Sequence, residues 1–209
     1  MKYRNIFSDL ILEIESSQKI YDLHSSMPQG LSPAEMAAME RNQGITLDEG
    51  IKHFYEQLNG VDICWRVKMD SLKKGNFTTN DDMVGSIHIL KLDIMLDGEN
   101  KASPWKENLW FDFMDEKDIR SISPLRPFDL FNNDEKELVA FKVEGNHVPD
   151  KLFYYSLVDG VFNFKMNIED YVNALTKVKG FLFWHRGKLK LDRNCQKELN
   201  HFLPQIFGR

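Results

Sequence analysis

"GITLDEGIKHFYEQLNGVDICW", residues 44–65, decides how the chain is read. Thr46-Leu47-Asp48-Glu49 has the residue types of a capping box, in which the first side chain accepts from the amide three residues on and the glutamate reaches back. Ile51, Phe54, Tyr55 and Leu58 then recur at i, i+3, i+4 and i+7, the apolar stripe of an amphipathic helix. Asn59-Gly60 has the chemistry of a left-handed C-cap. From Val61 the apolar period changes to two, so a strand follows directly over 61–69. Gly50 inside the helix costs about 1 kcal/mol relative to Ala, so either helix packing compensates or a neighbour approaches closely there.

Upstream, Ser32-Pro33-Ala34-Glu35 repeats the helix-start chemistry, with proline at the first helical position, and predicts a helix over Pro33–Gln43 stopped by Gly44. Ile6, Phe7, Leu10, Ile11 and Ile14 lie on one face of a first helix expected to run to about Ile20, with "SSMPQGL" breaking it. A helix of that length is marginal alone in water, so it is expected to dock on the rest of the chain. Downstream, strands are predicted at 85–92, 108–113, 138–144, 152–157 and 161–165. Asp97-Gly98, Glu144-Gly145-Asn146 and Asp159-Gly160 supply turns. Asn167 caps a helix carrying Ile168, Tyr171, Val172, Leu175 and Val178 and ending at Gly180, and a last helix is expected from about Asp192 to Leu203, ended by Pro204.

Helices first, consecutive strands in the middle and helices last predict an α+β fold, with a mainly antiparallel central sheet of about five to six strands and terminal helices packed against it. The expected organisation is an N-terminal helical extension over 1–30, an α+β domain over 31–187 and a C-terminal helix over 188–209. Segments 70–84 and 97–107 read as polar loops long enough to carry function.

Composition narrows the function. A chain of 209 residues, 42% hydrophobic and 28% charged, can build a real core, burying roughly 70% of the surface its unfolded form exposes. A net charge of −5 disfavours direct nucleic-acid binding, because the whole chain would repel phosphate. No apolar run reaches the ~18 residues needed to span a bilayer. Asp9, Glu13 and Glu15 interrupt the N-terminal apolar residues, which excludes a signal peptide, so a soluble cytoplasmic protein is expected. Cys64 and Cys195 lack CxxC spacing and read as free thiols, each expected to be a small buried apolar side chain.

Chemistry-bearing motifs are scarce. GxSxG, GxxxxGK[ST] and GxGxxG do not occur. The histidines at 24, 53, 88, 147, 185 and 201 form no HxH or HxxxH pair, and Asp81-Asp82 lacks the spaced ligands of a calcium loop, so neither a metal nor another cofactor is expected. His53 is expected to flank the core, and His185 in "FLFWHRG" stands open between a hydrogen-bonded structural histidine and a catalytic base. Across 112–137 lie Asp112, Asp115, Glu116, Asp118, Asp129, Asp134, Glu135 and Glu137 against Lys117, Arg120, Arg126 and Lys136. That excess is either solvated surface or a field that steers a basic partner, for which Asp112, Asp115, Glu116, Asp118, Asp134 and Glu135 are the candidate contacts. Trp105 and Trp110 are either interface anchors or core.

Residues 31–65, "LSPAEMAAMERNQGITLDEGIKHFYEQLNGVDICW", resemble the N-terminal signature of the SUKH superfamily, through Glu40, Gly44, Ile45, Leu47, Phe54, Tyr55, Asn59 and Gly60. Asp48 departs from it, standing where a proline is common. "RPFDLF", "LVAFKVE", "LFYYSLVDGVF" and "NIEDYVNALTKVKGFLFWH" are similar to the family's later strands and closing helix, so the resemblance spans roughly 31–187. It implies a non-catalytic α+β domain that acts by binding protein. Bacterial members commonly neutralise toxin domains, often nucleases, as immunity proteins, and a fungal relative is a scaffold regulating cell-wall synthesis. Three functions follow as expectations: an immunity or inhibitor protein for a basic toxin domain, an intracellular scaffold, or a hydrolase using His185. Oligomeric state is not legible in the sequence.

Overall fold

The computed structural model describes residues 2–77, 81–97, 120–131 and 137–208. The chain forms two compact units: a first unit of Met1–Ser26, Asp62–Ile87 and Val172–Arg209, and a second of Met27–Val61 and His88–Tyr171. The fold is α+β, and among the described residues its main sheet has seven strands. The predicted strand at 108–113 lies outside the described residues.

In the first unit, helix α1 (Lys2–Glu15) buries Tyr3, Phe7, Leu10 and Ile14. It stops short of the expected Ile20, and Ile20–Ser26 is instead strand β1, antiparallel to β3 (Val61–Val67). Period-two alternation does not mark β1, because only Ile20 and Leu23 are even half-buried. Strand β3 alternates cleanly, with Ile63, Trp65 and Val67 fully buried, and β4 (Met83–Ile89) lies beside it in the sheet.

Trp65 organises this unit. Its indole N–H donates to the Lys179 carbonyl at 2.7 Å, and its ring meets Phe207 edge-on at 5.5 Å. Gly85 makes room for it, since a Cβ there would lie 2.1 Å from the indole. The C-terminal helix (Arg193–Phe207) continues through Pro204, which was expected to end it. Proline costs a helix interior about 3 kcal/mol. Burial of Phe202 and Ile206 offsets that cost, as does the Ser17 hydroxyl, which donates to the Ile206 carbonyl at 2.6 Å. The N-terminal helix is thereby docked within this unit, where Lys179 and Glu13 also form an ion pair.

In the second unit, helix α2 (Pro33–Gln43) has the predicted limits: Ser32 and Glu35 make a reciprocal capping box and Gly44 ends it at φ 64°. The second box does not form. Thr46–Leu47 is strand β2, parallel to β7 (His147–Val148), and Asp48 precedes helix α3 (Glu49–Tyr55) without capping it. Strand pairing has recruited the polar groups that a local reading assigned to the cap. Helix α3 ends at Tyr55 instead of Asn59-Gly60, yet Ile51, Phe54, Tyr55 and Leu58 are all fully buried as their stripe requires. The Asn59 carboxamide instead accepts from the Leu92 amide at 2.9 Å, capping the short helix α4 (Leu92–Leu96) that periodicity did not reveal.

Strand β5 (Leu125–Asp129) is antiparallel both to β4 and to β6 (Glu137–Lys142). Then come β8 (Leu152–Ser156) and β9 (Gly160–Asn163), which form the expected hairpin at Asp159-Gly160. Periodicity misses β5 because Pro127 breaks the pattern and nearly every residue is buried. The full strand order is β1-β3-β4-β5-β6-β8-β9. Helix α5 (Ile168–Lys177) starts where predicted, the Asn167 side chain accepting from the Asp170 amide at 2.8 Å. Helix α6 (Trp184–Lys188) and the C-terminal helix, α7, complete the chain.

Candidate functional site

The residues of the family-like stretch serve the fold. Glu40, 15% exposed, lies 3.4 Å from Lys52 and accepts from the Leu47 amide at 2.7 Å. Gly44 is the left-handed cap, Leu47 and Phe54 are buried, and the Tyr55 hydroxyl donates to the Leu90 carbonyl at 3.0 Å. Of the two readings of Gly50 the close approach holds, because a Cβ there would lie 2.0 Å from the Asp150 carboxylate.

Asp112, Asp115, Glu116, Asp118, Asp134 and Glu135 lie outside the described residues, as do Trp105 and Trp110. Two other acids of that stretch are described. Asp129 is fully buried on β5, where its carboxylate accepts from the His88 amide at 2.9 Å and from the Tyr171 hydroxyl at 2.7 Å. Burial, with the Asp129 charge beside it, holds the Tyr171 phenol well above its ordinary pKa. Asp129 therefore belongs to the core and contributes nothing to a steering surface. Glu137 accepts from the Tyr154 hydroxyl at 2.7 Å.

The structure also gathers a polar cluster that no sequence spacing announces. His147 Nε2 lies 3.0 Å from Asp48 Oδ1, and His147 Nδ1 lies 3.2 Å from the Thr46 hydroxyl. The second Asp48 oxygen accepts from the Asp150 amide at 2.8 Å, and Asp150 in turn accepts from the Ile168 amide at 2.8 Å. Burial raises the Asp150 pKa above the ordinary carboxylate range. Hydroxyl, imidazole and carboxylate in that order have the outline of a nucleophile, base and orienting acid. Acyl transfer also needs donors for a developing oxyanion. The amides of Thr46 and Asp48 go to the Asn146 and Val148 carbonyls, and that of Leu47 goes to Glu40. The cluster reads as a latch that pins β2 to β7, joining residues some hundred positions apart.

The remaining candidates separate. His185 is 1% exposed, and burial pushes its pKa well below the ordinary imidazole value, so it is a neutral core side chain. His53, expected beside the core, is exposed and lies 3.0 Å from the Gln57 carboxamide. Cys64 and Cys195, expected to be buried, are free and half-exposed. Burial raises the Cys64 thiol pKa, and that of Cys195 is pushed up to about 12 by burial and then by Asp192. A groove of about 650 Å³ in the first unit is lined by Gly75–Phe77 and by Asn194, Lys197, Glu198 and His201 of α7. There His201 Nε2 lies 2.6 Å from the Lys73 carbonyl, holding the loop.

Among the described residues no group of three metal-ligating side chains converges, and no helix is long and apolar enough to cross a membrane. No protein-family model matches the chain, and no curated protein matches it.

Proposed function

We propose that the protein is a non-catalytic, cytoplasmic protein-binding domain of the SUKH type, acting as an immunity or inhibitor protein that neutralises a basic toxin domain, with nucleases the leading toxin class. The observation that supports it is the order of elements around residues 31–65. There the residues carrying the family resemblance cap, bury and join α2, β2 and α3 between the first two strands of the main sheet, β1 and β3, a framework role that leaves the surface to do the work. A net charge of −5 fits an acidic blocker of a phosphate-binding enzyme, because complementary fields accelerate association.

The steering contacts proposed are Asp112, Asp115, Glu116, Asp118, Asp134 and Glu135. Replacing Asp115, Glu116 and Asp118 together by their amides is expected to slow association with a basic toxin domain about tenfold at low salt, while leaving the circular dichroism unchanged. An on-rate that does not move would remove this patch from the account. The second reading, a scaffold for host proteins, predicts binding that persists in high salt.

A further inference from the structure

We propose that β1 is a self-association edge, pairing antiparallel with β1 of a second copy about a two-fold axis at Leu23. This inference rests on the strand geometry and is independent of the toxin reading. Strand β1 ends the sheet order, so one of its two hydrogen-bonding edges has no strand beside it among the described residues. An unpaired edge is a template for another strand, and proteins blunt it with proline, lysine, brevity or a bulge. Strand β1 spans seven residues, Ile20–Ser26, with neither proline nor lysine among them. Its one irregularity falls between Ile20 and Asp22, leaving Asp22 to Ser26 in unbroken register with β3. The opposite edge, β9, is only four residues long.

The side chains select the occupant and the register. Residues directly opposed in an antiparallel pair point to the same face, so a symmetric pairing must centre on a residue. Centring on Asp22 opposes two aspartates, and centring on His24 opposes two imidazoles. Centring on Leu23 sets Asp22 of each copy against His24 of the other, twice, and packs the two Leu23 side chains together. A complementary polar pair directly opposed across two strands favours pairing, and like charges oppose it. Both polar side chains are accessible for this. His24 is 68% exposed beside Asp62 at 3.6 Å, and Asp22 is 58% exposed beside Arg66 at 3.8 Å. Tyr21, 49% exposed, adds an aromatic flank with the Lys68 ammonium 5.5 Å from its ring centre.

The test is sedimentation velocity of the full chain over a concentration series, beside His24→Asp and His24→Lys, with hydrogen exchange of residues 22–26 at both ends of the series. The native chain is expected to reach twice its monomer mass and to gain amide protection in 22–26 as it does so. His24→Asp places aspartates opposite one another and is expected to weaken the dimer at least tenfold, whereas His24→Lys sets an ammonium against each Asp22 and retains it. Unchanged circular dichroism in both variants separates this from misfolding. A chain that stays monomeric throughout would overturn the proposal, as would a dimer equally stable in His24→Asp or one that forms without protecting 22–26.

Discussion

The two units bury polar groups by different means. In the second, Asp129 is fully buried and takes its hydrogen bonds from the His88 amide and the Tyr171 hydroxyl. In the first, Lys179 is 9% exposed and paired with Glu13, while its carbonyl receives the Trp65 indole. The second unit thus holds a buried carboxylate against a backbone amide and a tyrosine hydroxyl. The first ties Lys179, just past the end of α5, to the last turn of α1 through an ion pair and to Trp65 through its carbonyl. The difference teaches where each unit is vulnerable: one to loss of an acceptor, the other to loss of space.

The largest effect is expected at Asp129. Replacing it by Ala strands a buried hydroxyl and a half-buried amide, each worth about 1–3 kcal/mol, so Asp129→Ala should lose about 4 kcal/mol in urea unfolding and Tyr171→Phe only about 1. Equal losses would mean that the tyrosine, not the carboxylate, organises the site. Next in size are the two close-approach glycines. Gly85→Ala drives a methyl into a fully buried indole and should cost about 3 kcal/mol, near the upper end for an overpacked core. Gly50→Ala meets the Asp150 carboxylate but gains about 1 kcal/mol of helix propensity. Its net loss should therefore be smaller, and a larger loss for Gly50→Ala would reverse the comparison.

Titration sharpens the contrast, because the two units respond to pH with opposite sign. Burial lowers the His185 pKa in the first unit. The unfolded chain takes up that proton near about 6.5 while the folded chain does not, so stability falls as pH drops below that value. Burial raises the Asp150 pKa in the second unit. There the folded state keeps a proton that the unfolded state has released, so stability falls as pH rises through and above the ordinary carboxylate range. His185→Gln should flatten the acid limb, and Asp150→Asn, which keeps an acceptor for the Ile168 amide, should flatten the other. Thermal melts between pH 4 and 7 would show either limb surviving its variant if these assignments fail. The smallest effect is chemical. With its pKa pushed up to about 12, Cys195 forms little thiolate near neutrality, so iodoacetamide should label both thiols slowly and Cys195 more slowly than Cys64.

How far the sequence reaches follows the same division. The Ser32–Glu35 box, the 51–58 stripe, the Asp159-Gly160 hairpin and the Asn167 cap were all legible, because each signal lies within a turn or two of the residues that use it. Strand β1 was not, since an edge exposed on both faces carries no alternation, and β5, hidden from periodicity by Pro127, was reached only through the resemblance of "RPFDLF". The latch of Thr46, Asp48 and His147 depends on β2 meeting β7, a pairing that no local pattern encodes. Asp129 illustrates the limit of charge counting: it sits among acids in sequence and in the core in space. The acids proposed to face a partner were chosen from composition alone, because a binding surface needs no periodicity.

The most direct test of the protein-binding reading is affinity capture of the tagged full chain from its native lysate at low and high salt, with the bound proteins identified by mass spectrometry. The account predicts a single basic protein that is retained at low salt and released at high salt. Recovery of a neutral protein that resists high salt, or of none at either salt, would contradict it.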